Sequence, residues 1–205
     1  MPTRIVATNM RRLAVVLTVI AVLALGGCQD RSGHHVELPV PHIAQETLLC
    51  VPTSSAMVLA FYGDRREPRA LKALSRGKTY DPAAPFDDFT ITLFADMKRG
   101  LASQGYAWTD AAFADTPEGY AEGLKVLEDE LRAGRPVLVD ITANGVGHTL
   151  VVSGFDDQRR ELYMVDPAQP PPGKITIRYD QFADYWNEHA YGGRFRALMK
   201  TAPKA

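Results

Sequence analysis

The chain has 205 residues, with 23 basic against 24 acidic side chains and a formal net charge of −1. A near-neutral balance without a basic stripe excludes the electrostatic footprint of a nucleic-acid binder, so no nucleic-acid partner is expected. The length suits one domain with a substantial core.

At the N-terminus Arg4, Arg11 and Arg12 precede Leu13 to Leu25 (LAVVLTVIAVLAL), whose one polar group is Thr18. A basic flank, a short apolar run and small residues after it make a secretory signal. The run falls short of the roughly 20 residues that a spanning helix needs. Leu25-Gly26-Gly27-Cys28 resembles the lipobox of bacterial lipoproteins, which implies cleavage after residue 27, acylation of Cys28 by chains such as palmitate, and attachment to a membrane through that lipid. Gln29 after the cysteine resembles the pattern sorted to the outer membrane, although Asp30 stands one place later. Removing residues 1–27 leaves 20 basic against 24 acidic residues, a mildly acidic exported protein.

If Cys28 carries lipid, Cys50 has no partner within the chain, in a compartment where disulfides persist. A lone thiol there is a buried hydrophobe, an intermolecular bridge or a nucleophile, and composition leaves all three open. Two cysteines cannot build a thiolate zinc site, and no metal or cofactor is expected.

Along the chain, Gln29 to about Val36 reads as a polar tether, and Val36 to Ile43 as extended because of Pro39 and Pro41. Pro52 to Tyr62 (PTSSAMVLAFY) is predicted helical, with proline in the first turn and Gly63 as a stop, which puts Cys50 at or just before a helix N-terminus. Further helices are expected over Glu67 to Ser75 and Ile91 to Gln104, with a loop over Thr79 to Phe89 between them. Thr116-Pro117 opens the clearest helix, with Leu124, Leu127 and Leu131 on one face and Gly134 at its end.

Then the period changes. Pro136 to Thr142, Thr149 to Phe155, Leu162 to Val165, Lys174 to Tyr179 and Arg194 to Met199 read as strands, with a hairpin over Asp156 to Arg160 and a short helix over Asp180 to Glu188. Helices followed by antiparallel strands predict an α+β fold, its helical half packed on one side or end of the sheet. Trp108 and Trp186 are read as core residues.

Three polar residues stand where this order would make them converge. Cys50 precedes a helix whose unpaired N–H groups favour thiolate. His148 starts a strand after the Asn144-Gly145-Val146-Gly147 turn, and Asp166 ends the next strand, so antiparallel pairing sets them side by side. A carboxylate beside a histidine fixes its tautomer, and the histidine can take a thiol proton. Each residue alone also reads innocently: Cys50 as core, His148 as a turn residue, Asp166 as a cap, Gln45 as a solvated loop side chain or an oxyanion donor. His42 reads as an incidental loop histidine.

Gln45 to Leu59 (QETLLCVPTSSAMVL) with Phe61-Tyr62-Gly63, Gly147 to Asp156 (GHTLVVSGFD) and Tyr163-Met164-Val165-Asp166-Pro167 resemble the motifs of papain-like peptidases related to the bacteriocin leader (double-glycine) peptidases. The resemblance implies a papain-like fold with N-terminal helices on a C-terminal antiparallel sheet. It also implies Cys50 as nucleophile, His148 as base, Asp166 as its orienter and Gln45 as oxyanion donor. The expected organisation is a signal peptide over residues 1–27, a lipidated cysteine and tether over 28–36 and the peptidase-like domain over 37–205. The expected activity is membrane-anchored thiol hydrolysis of peptide or amide bonds in envelope polypeptides, on the periplasmic face of the outer membrane. The alternatives are a noncatalytic binding or envelope-assembly module on the same fold, and an amidase or acyl transferase. The family usually has glycine after its cysteine where this chain has Val51, and a slightly longer glutamine spacing.

Overall fold

The computed structural model describes residues 34–204; the signal sequence, its cleavage site and Cys28 lie outside them. Among the described residues no helix is long and apolar enough to cross a membrane. The order is β1 (His35–Glu37), α1 (Cys50–Phe61), α2 (Pro68–Ser75), α3 (Phe94–Ala102), β2 (Thr109–Ala114), α4 (Pro117–Arg132), β3 (Val137–Ala143), β4 (Val146–Asp156), β5 (Glu161–Val165), β6 (Lys174–Arg178), α5 (Tyr179–Tyr185), a 3-10 turn (His189–Tyr191) and β7 (Phe195–Lys200).

One antiparallel sheet runs in the order β2-β7-β3-β4-β5-β6. β3 covers β4 only as far as Val152, and β1 pairs with Gly154, Phe155 and Asp156 beyond it. β1 thus extends the β3 side of β4 and draws His35 and Val36, expected in the tether, into the sheet. β2 was expected by no sequence pattern: TDAAFA has little of the β-branched or aromatic content that marks a strand, and its pairing with β7 creates it.

Side chains alternate across a strand, so the sheet has two inner faces. Leu138, Val151, Val165 and Met199 join Met57, Leu59, Leu71, Met97 and Leu101 of α1, α2 and α3 in one core. Val137, Val139, Leu150, Val152 and Leu198 join Leu127 and Leu131 of α4, Phe182 of α5 and Trp186 just after it in the other. The helices therefore cover both faces, which corrects the one-sided packing expected from chain order: α4 follows an unpredicted strand and crosses to the far side. Both tryptophans are core residues, as expected, with each indole N–H donating to a backbone carbonyl, Trp108 to Ala202 and Trp186 to Ala197, at 2.8 Å.

α1 is buried continuously from Val51 to Leu59, so its start is fixed by the core and not by a cap. Leu49 at the cap position makes no side-chain hydrogen bond, and Thr53 N–H closes the first turn on the Leu49 carbonyl at 2.8 Å. The helix begins two residues before Pro52, which makes Cys50 its first residue; proline within a first turn removes an N–H that would have had no helical partner.

Candidate active site

The β3–β4 hairpin turns on Asn144 and Gly145, both with positive φ (52° and 76°), as a two-residue turn matched to strand twist requires. It delivers Gly147 and His148 to the mouth of the sheet. A side chain on Gly147 would meet the Tyr191 ring at 2.3 Å, so the ring lies directly on this backbone, beside His148. β5 pairs with β4 as far as Val165↔Val151, and Asp166 follows immediately.

The ends of these strands meet as the antiparallel order demands. His148 Nε2 is 2.6 Å from Asp166 Oδ1. The same oxygen accepts the Ala168 N–H at 2.8 Å, and the Asp166 backbone N–H donates to the Gly173 carbonyl at 2.8 Å, so both the side chain and the backbone of Asp166 are held. Cys50 enters from the opposite side at the start of α1, with Ser54, one turn on, donating to the Thr149 carbonyl at 3.1 Å. This bond locks the first turn of α1 against the strand that carries His148.

The electrostatics follow from the arrangement. Burial pushes the Cys50 thiol up, but a hydrogen bond from His148, bonds from the Thr149 backbone and side chain, and the imidazolium charge outweigh it, leaving the thiol below its ordinary value. Burial opposes a charge on His148, yet Asp166 and Cys50 on its two sides raise it to about 9. Burial likewise opposes charge on Asp166, and its bonds from His148 and Ala168 hold it below the usual carboxylate range. All three shifts favour a thiolate–imidazolium–carboxylate row.

Gln45 lies at the flank. Its N–H donates to the Pro167 carbonyl at 2.9 Å, which ties the loop before α1 to the turn after Asp166. Among the described residues its side chain forms no hydrogen bond with the other three, and its Oε1 is buried without a partner. His42 packs its ring on Gly173, where an added Cβ would lie 2.2 Å from His42 Cδ2; it props the turn after Asp166 from outside the row.

Val51, which departs from the glycine usual in the resembling peptidases, is 3% exposed and faces the core. It has no positive φ, so its backbone does not call for glycine. The strained residue is Leu48, two before the nucleophile position, with φ 61° and its side chain exposed. Sequence reasoning also passed over Asp140 and Glu188, two neighbouring carboxyl groups near Cys50. The one local signal was an acid in the middle of an otherwise apolar strand, PVLVDIT. Among the described residues no group of three or more His, Cys, Asp or Glu side chains is placed to hold a metal ion.

Residues 37–193 match the model of the Peptidase_C39-like family. No curated protein matches the chain. Among solved structures, the peptidase domain of Streptococcus ComA, described as a bi-functional ABC transporter of a quorum-sensing pathway, is similar at 17% identity and a TM-score of 0.53, covering 80% of this chain and 99% of its own. A double-glycine-motif protease from an AMS/PCAT transporter, solved with a leader peptide, is similar at 19% identity and a TM-score of 0.51, covering 82% of this chain and 95% of its own. At these identities the likeness speaks for the fold, which is the papain-like peptidase fold expected from the motifs.

Proposed function

We propose, from the premise that this chain belongs to the Peptidase_C39-like family, that it is a lipid-anchored cysteine peptidase of the bacterial envelope. The observation that carries the reading is the position of His148, bonded through Nε2 to Asp166 and acting on the Cys50 thiol from its other side. Cys50 thiolate attacks the carbonyl carbon of a peptide or amide bond. The oxyanion forms beside the Cys50 N–H, which as a first-turn donor has no helical acceptor. Gln45, held next to the Asp166 turn, is the second donor, reached by a rotation of its side chain. His148 protonates the departing amine, then takes a proton from the water that hydrolyses the thioester, while Asp166 keeps the ring in one tautomer.

Val51, which stands where the family usually has glycine, is buried in the core without a positive φ, and this supports retained chemistry over a noncatalytic module. The anchor rests on sequence: the apolar run to Leu25, the small residues and Cys28 in register support acylation, and Gln29 supports the outer membrane. The substrates are then envelope polypeptides within reach of a short tether. The test is hydrolysis of an unstructured peptide panel by the full chain, compared with Cys50→Ala and His148→Ala. Equal turnover by the three proteins would refute the peptidase reading.

A further inference from the structure

A second polar chain approaches Cys50 from beneath. Asp140 on β3 stands opposite Thr149 on β4, and the Thr149 hydroxyl is hydrogen-bonded to Asp140 Oδ1. Thr149 is itself pinned to the first turn of α1 by Ser54. On the other side Asp140 meets Glu188, which is buried. The Thr142 hydroxyl fixes the segment bearing Glu188 to β3 by donating to the Asn187 carbonyl at 3.0 Å and accepting the Ala190 N–H at 3.1 Å. The titratable groups facing Asp140 are Glu188 and Tyr191 from that segment and Cys50 from α1, with His148 next to Thr149 on β4. Neither carboxyl group forms an ion pair among the described residues.

The Thr149 hydroxyl has one proton and two acceptors, Asp140 Oδ1 and the Cys50 thiolate. Hydrogen bonds to an ionised acceptor are roughly twice as strong as those between neutral groups. An uncharged Asp140 therefore loses the competition to a thiolate, and an ionised Asp140 wins back a share and adds a repulsive charge. We propose that Asp140 is a positioning residue for the nucleophile: by sharing a proton with Glu188 it stays uncharged and leaves the Thr149 hydroxyl to the Cys50 thiolate. Burial first, with the Glu188 and Cys50 charges, outweighs the lowering bond from Thr149 and holds Asp140 well above the carboxylate range, in keeping with this role. A cavity of about 290 Å³ between α3, β2 and β7 has both carboxyl residues in its wall.

The inference rests on the peptidase reading but is read out on the thiol, without a substrate. The pH dependence of Cys50 alkylation by iodoacetamide is followed on the full chain by mass spectrometry of the Cys50 peptide. Asp140→Asn cannot ionise, so the thiol midpoint is expected to stay or fall. Glu188→Gln removes the charge that keeps the proton on Asp140, so the midpoint is expected to rise; one unit means about tenfold slower alkylation below it. Thr149→Val is expected to raise the midpoint and to abolish the difference between the two carboxyl variants, while Thr149→Ser, which keeps the hydroxyl, behaves as wild type. A structural role would move Asp140→Asn and Glu188→Gln in the same direction. That result, or no shift in either, overturns the proposal. A wild-type Cys50 that titrates as an ordinary thiol, unmoved by His148→Ala, overturns the peptidase reading together with it. A low wild-type midpoint with unmoved variants overturns the Asp140 role alone.

Discussion

His148 Nε2 stands 2.6 Å from Asp166 Oδ1, so the ring is committed on that side and only Nδ1 is left to meet the thiol. The carboxylate dictates which nitrogen carries the proton before any substrate arrives.

Asp166→Asn tests that commitment. The amide can turn its NH₂ toward Nε2 and favour the tautomer that cannot accept the thiol proton. Peptide-hydrolysis kcat/KM should drop by about 10²- to 10⁴-fold in a variant that remains folded. A loss of less than tenfold would remove Asp166 from the mechanism.

The charge row sets the pH window. His148 must be protonated to release the amine and is raised to about 9, so activity should fade as pH rises through that value. On the acid side activity should fall as the thiolate gains its proton, below the ordinary thiol range. Stability follows the same sign. A histidine with a higher folded than unfolded value contributes fully below about 6.5 and loses that contribution as pH rises through about 9. Urea midpoints at neutral and at alkaline pH, compared between wild type and His148→Ala, check this.

Restoring the family's usual glycine should harm the protein and gain nothing. Val51 packs in the helical core, so Val51→Gly removes buried methyl groups and weakens the first turn of α1. The expected cost is about 2–4 kcal/mol in urea denaturation, without faster alkylation of Cys50. A more reactive thiol in the glycine variant would contradict the assignment of Val51 to the core.

The anchor has its own test. Cells expressing the chain should incorporate labelled palmitate into it, and Cys28→Ser should abolish both the label and recovery in the membrane fraction. A labelled Cys28→Ser protein would place the lipid elsewhere.

His148 and Asp166 were legible because an antiparallel pair brings the start of one strand to the end of the next, and two strands joined by a short turn declare that relation in sequence. Cys50 was legible through Pro52 and the helical spacing after it. The exact start of α1 was not, because core burial around Val51 and Leu59 fixes it in place of a capping side chain. β2 was hidden because its strand character comes from β7, some eighty residues later. For the same reason the side of the sheet taken by α4 was open. Asp140 and Glu188 meet only after β3 and the turn beyond α5 have both docked, and no local pattern announces that.

β1 also gives the molecule a mechanical layout. It is a grip of three residues, running antiparallel along the end of β4 opposite to His148, with the His34 carbonyl accepting the Asp157 N–H at 3.0 Å just before it. Any pull on the chain upstream of His34 enters the sheet along β1 and loads these bonds in shear, in parallel and not one after another. The strand that receives the load is the one that carries the imidazole. Tension from an N-terminal attachment would therefore meet its resistance at the far end of β4, away from the chemistry.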